Sequence, residues 1–125
     1  MEKAVFGANG FFSQEAFITG FRGIEEVQIG QVKGTNLEIV EIWYNPWKVS
    51  YQELLELFFD LHDPTLGENE SSENQSFIYF SDKHQYQLAK QKKKELKEAF
   101  QNRIVTQITP ASHLKISLEK FKLIS

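Results

Sequence analysis

The chain has 125 residues, 41% of them hydrophobic and 14% aromatic, with a formal charge of −3 and a pI near 5.6. That length and apolar content suit one globular domain, residues 1–125, with a sizeable core, and the mild acidity excludes global steering toward nucleic acid or an anionic membrane. The chain contains no cysteine, which excludes disulfides, thiolate metal ligands and a cysteine nucleophile.

No apolar run approaches the roughly 20 residues that span a bilayer. The opening MEKAVFGANG lacks the basic flank and long apolar core of a signal peptide, so a cytoplasmic location is expected. Lys3 to Ala8 reads as a short buried strand that stops at Asn9-Gly10. Ser13 to Phe21 reads as a helix, with Ala16, Phe17, Gly20 and Phe21 at helical spacing, Ser13 as its N-cap and Gly23 in the C′ role. Ile24 to Val32 alternates, Val27 and Ile29 inward against Glu26 and Gln28 outward, as a half-buried strand does. A short turn, Lys33 to Asn36, leads into Leu37 to Tyr44, a β-branched and aromatic run, and the two strands form a predicted hairpin.

Asn45-Pro46 turns the chain. Ser50 and Glu53 form a capping box at the head of a helix that ends before Pro64, and Val49 with Leu54 supplies the hydrophobic staple. Leu54, Leu57, Phe58 and Leu61 recur at i, i+3, i+4 and i+7, one apolar face aimed at a sheet, with Leu57 and Phe58 expected in the core. A polar loop, Thr65 to Gln75, precedes a fourth strand at Ser76 to Phe80. Asp82 caps a long helix, 83–101, with Tyr86, Ala89, Leu96 and Phe100 on its apolar side. Arg103 to Ile108 is a fifth strand, and Leu114 to Ile124 has no assigned place. The order βαββαβ with an added αβ implies an α+β fold: a ferredoxin-like sandwich with an antiparallel or mixed sheet packed with helices.

Four segments together resemble the peptide methionine sulfoxide reductase A family. FGANGFFSQEAF (6–17) is similar to that family's FGAGCFWGVE. TNLEIVEIWYNPWKVSYQELLELFFDLHDPT (35–65) is similar to its GHAEVVEVxYDPxxxSYxxLLxxFWxxHDPT. QSFIYFSD (75–82) and IVTQITP (104–110) are similar to YRSAIYYHD and IVTEIxP. The resemblance implies a protein that acts on the methionine sulfoxide, or methionine, side chain of a peptide or protein, without a cofactor. It also implies a catalytic site whose nucleophile is missing. The family's cysteine, a thiolate at a helix N-terminus, matches Gly10. The next two positions, an apolar wall around the substrate methyl, match Phe11 and Phe12. The family's acid, which serves the sulfoxide oxygen, matches Glu38. One of its two oxygen-holding tyrosines matches Asn74; the other falls in a segment replaced by Gln31 to Asn36. The family's acidic residue before Asn74 falls near Asn69, and its resolving cysteines, which pass oxidation to thioredoxin, have no counterpart.

Each residue also has a plainer reading. Glu38 opens an otherwise apolar row of Val40, Ile42 and Tyr44, either as a strand-end carboxylate reaching solvent or as a pocket carboxylate. Phe11 and Phe12 are core residues or a pocket wall. His62, beside an Asp-Pro turn, reads as structural, and His84 and His113 have no carboxylate at metal-ligand spacing. Lys90, Lys92, Lys93, Lys94 and Lys97, interleaved with Glu95 and Glu98, read as a solvated face rather than a patch for an acidic partner or nucleic acid. Three functions stay open: a binding module for thioether, sulfoxide or peptide near Gly10, Phe11, Phe12, Glu38 and Asn74; a residual reductase working through Glu38 and an external thiol; and a structural partner subunit. Oligomeric state is not legible.

Overall fold

A computed structural model of the chain describes residues 2–32, 36–62, 64, 76–99, 104–114 and 122–124. Six strands, β1 (Glu2–Ala8), β2 (Ile24–Gln31), β3 (Glu38–Tyr44), β4 (Ser76–Phe80), β5 (Gln107–Pro110) and β6 (Lys122–Ile124), form one sheet in the order β5-β4-β1-β3-β2-β6. Every neighbouring pair is antiparallel except β4 and β5. The inner four strands are two interlocked split βαβ units. β1 and β2 run one way with β3 between them, and β3 and β4 run the other way with β1 between them. The predicted ferredoxin-like α+β class is the observed one, and the predicted hairpin is the β2–β3 pair.

Three helices, α1 (Glu15–Thr19), α2 (Tyr51–Asp60) and α3 (Lys83–Ala99), contribute to a single core against one face of the sheet. β1 lies in the middle of the sheet, so its continuous apolar run is buried on both faces. Ala4, Phe6 and Ala8 face the helices; Val5 faces the other way, with Leu37, Ile39 and Tyr79, under the segment holding Ala111 and Leu114. Val27 and Ile29 are fully buried, as their alternation requires.

The head of α2 forms as its sequence dictates. The Ser50 hydroxyl accepts from the Glu53 backbone N–H, and the Glu53 carboxylate accepts from the Ser50 N–H. Val49 and Leu54 are both buried in the same cluster, and Leu57 and Phe58 join them. Phe58 is the centre of an aromatic stack: 4.6 Å from Phe6, 6.0 Å from Phe11 and 4.1 Å from the His62 ring, centroid to centroid. Asp82 caps α3 by accepting from the Gln85 N–H.

Four expectations are corrected. The first helix starts two residues early, as a 3₁₀ turn at Phe11–Gln14, so Ser13 is not its N-cap. The Ser13 hydroxyl instead donates back to the Gly10 carbonyl at 2.7 Å. The tighter turn shifts the helical phase, which buries Ile18 and leaves Phe17 59% exposed. Gly20, not Gly23, ends α1; Gly23 takes φ +87° in the turn to β2, where a Cβ would meet Val49 Cγ1 at 2.7 Å. The fifth strand lies at 107–110 rather than 103–108, because its parallel register sets Ile108 against Ile78 and carries Ile104 and Thr106 inward ahead of it. On α3, Gln85 is buried beside Ala89: its amide nitrogen donates to the Lys3 carbonyl and its oxygen accepts from the Ser81 N–H. Phe100 lies outside the described residues, and the stretch without an assigned place supplies β6 against β2.

Burial pushes the Tyr44 and Tyr79 phenols up to about 12 from 10.0 and raises Tyr51 further. The Tyr51 hydroxyl is also buried with no hydrogen-bond partner among the described residues. These phenols hold their protons more tightly folded than unfolded, so their contribution to stability is complete below pH 10 and lost as pH rises through about 12. Tyr51→Phe removes an unsatisfied group, and is expected to raise the urea midpoint by the equivalent of about 1 kcal/mol or more. Phe58→Ala is expected to lower stability by about 3–5 kcal/mol. Trp47→Ala should shift it by about 0.5 kcal/mol or less, because Trp47 is 94% exposed.

Candidate functional site

The site is built where β1 stops. Ala8, its last residue, pairs with Glu38 on one side and Ser76 on the other, and Glu38 pairs in turn with Gln31. Directly opposed residues project to the same side of a sheet, so Ser76, Ala8, Glu38 and Gln31 form one row on the helix-facing side. Two residues after Ala8, Gly10 bends the chain with φ +92° and ψ 12° and becomes the N-cap of the 3₁₀ turn. Glycine occupies this left-handed conformation at little cost; any residue with a Cβ is strained there. Among the described residues, a Cβ on Gly10 would find only Ser13 Oγ, 3.9 Å away.

The row places the sequence-derived candidates as follows. Glu38 sits at the site end of β3, on the face of Val40, Ile42 and Tyr44, and is 9% exposed. Phe11 is 1% exposed, its ring turned into the core against Phe58. Gly10 and Phe11 are thus brought next to the Glu38 row by the β1–β3 register and the contact of the 3₁₀ turn with β3. Phe12 follows in the same turn, its side chain outside what is described, and Asn74 and Asn69 lie outside the described residues. Among the described residues no three His, Asp or Glu side chains are grouped as a metal site would need.

A polar chain that sequence reasoning missed closes the other end of the row. His62 Nδ1 lies 2.6 Å from the Phe58 carbonyl, one turn back in α2. A carbonyl only accepts, so Nδ1 carries the proton, and in the neutral ring Nε2 must accept. Ser76 Oγ stands 2.8 Å from Nε2 and therefore donates to it, which leaves it to accept from Thr106 Oγ1 at 2.7 Å. The direction of every bond follows from the one carbonyl. A serine hydroxyl donating to a histidine is also the first half of a nucleophile–base pair. Here Ser76 is 2% and Thr106 0% exposed, and both hydrogen-bonding functions of Ser76 are taken. The chain is a clasp that ties the end of α2 to β4 and to the segment entering β5. His62 is structural, as its Asp-Pro neighbour suggested. Ser76 and Thr106 carry no local signal; only the strand order brings residues 62, 76 and 106 together.

The Peptide methionine sulfoxide reductase family profile matches residues 2–119. A peptide methionine sulfoxide reductase MsrA 1 from Nostoc is 31% identical over 96% of this chain and 86% of its own length. The MsrA of Nautilia profundicola is 33% identical over 88% of this chain and 74% of its own. Among solved structures, methionine sulfoxide reductase A of Corynebacterium diphtheriae superposes with a TM-score of 0.63 at 22% identity, covering 88% of this chain and 65% of that one. Mxr1 from Saccharomyces cerevisiae in complex with Trx2 superposes with a TM-score of 0.59 at 24% identity, covering 97% and 80%.

Ser76→Ala removes the hydroxyl that bridges His62 Nε2 and Thr106 Oγ1. It is expected to destabilise by about 1–3 kcal/mol in urea titrations, with Thr106→Val costing less because it removes only the outer donor.

Proposed function

The chain belongs to the peptide methionine sulfoxide reductase family, and on that premise we propose that it is a non-reducing member, a module that binds the methionine sulfoxide or methionine side chain of a peptide without turning it over. The observation that carries this reading is Gly10. It has φ +92° and, by the resemblance of FGANGFF to the family's FGAGCFW, matches the family's nucleophilic cysteine, in a chain that contains no cysteine.

The family's route begins when a thiolate attacks the sulfoxide sulfur, methionine leaves, and the enzyme keeps the oxygen as a sulfenic acid that thiols then reduce. Gly10 offers no atom for that attack, and Ser13, whose hydroxyl is committed to the Gly10 carbonyl, cannot run a thiol redox cycle. What stays is the means of recognition. A sulfoxide oxygen is a strong acceptor, and Glu38, at the family's acid position and largely withdrawn from water, donates to it when protonated. Polarising the bond without a nucleophile leaves the barrier largely in place. The purely structural reading is favoured by one fact, the burial of the Phe11 ring, which offers no open wall to a methyl group. A residual reductase has no observation of its own beyond family membership.

The test is titration with N-acetyl-methionine sulfoxide methylamide and with its thioether, followed by amide chemical shifts. The binding module predicts saturable shifts at Gly10 and Glu38, weakened at least tenfold by Glu38→Gln. Their complete absence favours the structural subunit. With dithiothreitol or thioredoxin as reductant, no methionine is expected by chromatography. Turnover by the unmodified protein that Glu38→Gln abolishes would overturn the proposal. Gly10→Cys has room for its side chain but strains the backbone by about 1–2 kcal/mol, and is expected to restore only a trace of reduction, because both tyrosine positions are lost.

A further inference from the structure

On the opposite side of α3 from its contact with α2, the helix carries a second, differently built feature. Lys90, Lys93, Lys94 and Lys97 recur at i, i+3, i+4 and i+7, so they share one face of α3. With Tyr86 and with Ile108 of β5 they line an open groove of about 400 Å³ that has no acidic residue among the described residues of its wall. The helix as a whole holds six lysines and two glutamates, in a chain whose formal charge is −3. The neighbouring face behaves differently: Lys92 pairs with Glu56 at 3.7 Å, and Glu95 shares that surface with them. None of the four groove lysines has a carboxylate of the described residues within ion-pairing distance. Like charges one turn apart destabilise a helix. Lys93 shows the effect, since partial burial, and then the Lys97 charge, pull its ammonium below its ordinary value.

We propose that this groove between α3 and β5 docks an acidic, extended segment of a partner protein. The spacing favours that occupant. Lys90 with Lys94, and Lys93 with Lys97, are separated by about 6 Å along the helix axis, and alternate side chains of an extended chain recur about 6.6 Å apart on one side. Glutamates at every second position therefore meet successive lysines while the intervening side chains reach Ile108. A nucleic acid fits less well. The Tyr86 ring that would stack a base is already covered by Phe80, 4.9 Å away, and by the Lys90 ammonium at 5.3 Å. Among the described residues the groove wall has no arginine, and the chain's overall negative charge repels a long polyanion.

The probe is a fluorescein-labelled peptide of four Glu-Ala repeats, measured by fluorescence anisotropy on the full chain at low and at physiological salt. Binding is expected at low salt, weakened severalfold at physiological salt. It should fall at least tenfold in a variant carrying Lys90→Gln, Lys93→Gln, Lys94→Gln and Lys97→Gln, and less than twofold in Lys92→Gln. The quadruple variant loses like-charge repulsion and is expected to melt no lower than the parent, so loss of binding with an unchanged melt reads the groove. Should it melt lower, amide shifts of the unmodified chain decide: perturbation centred on Tyr86, Lys93 and Ile108 supports the proposal. No binding at low salt, equal loss in Lys92→Gln, or shifts centred elsewhere overturns it. Tighter, groove-dependent binding of a single-stranded oligonucleotide overturns the choice of occupant.

Discussion

Phe58 lies on Phe6 with the rings 11° from parallel and 4.6 Å apart, and the rest of the molecule is arranged around that contact. Phe6 stands in the middle of the central strand, and Phe58 is one turn from the end of the best-capped helix. Their contact fixes α2 over β1 along both its length and its rotation. Phe11 then packs on the far edge of Phe58, which sets the 3₁₀ turn and the backbone of Gly10, while His62 packs on the same ring and reaches Ser76. A shift of one residue in either partner would move apolar side chains off the core face and separate the elements that make the site.

Most of this was legible where local and global preferences agree. The capping box, the staple and the 3.6-residue stripe of α2 all state one answer, and the alternation of β2 states its inward face. The sequence failed at Ser13, a good capping residue by type that lost the role to a glycine in a left-handed conformation three residues earlier. Nothing in residue type announces that choice, because it follows from the need to bury Phe11. Gln85 was missed for a related reason. A glutamine reads as surface until the start of β1 presents the Lys3 carbonyl to it. The site itself divides the same way. Gly10, Phe11 and Glu38 are candidates proposed from their resemblance to family motifs, whereas the His62–Ser76–Thr106 chain depends on three segments that meet only after the sheet is ordered.

Family membership and chemistry rest on different constraints. The β1 stop, the left-handed turn at Gly10 and the helix start are all present, and on the proposed reading the position they serve holds a residue without a side chain. Packing constraints are spread over the whole core and are satisfied by many residues together, while a covalent catalyst rests on one sulfur atom. A fold of this kind can therefore outlast a reaction, so function is argued from the site rather than from the fold.

The clasp from His62 to Ser76 has a consequence for how such chains diversify. It joins the end of one element to the start of the next, so the two ends of the intervening segment are held together by the folded body rather than by the segment itself. Each doubling of a loop whose ends are already fixed costs only about 0.6 kcal/mol in closure entropy. Lengthening the chain between positions 62 and 76 thus carries only a small closure cost. Insertions there, natural or grafted, can be selected for what they touch, with little entropic penalty to the scaffold that displays them.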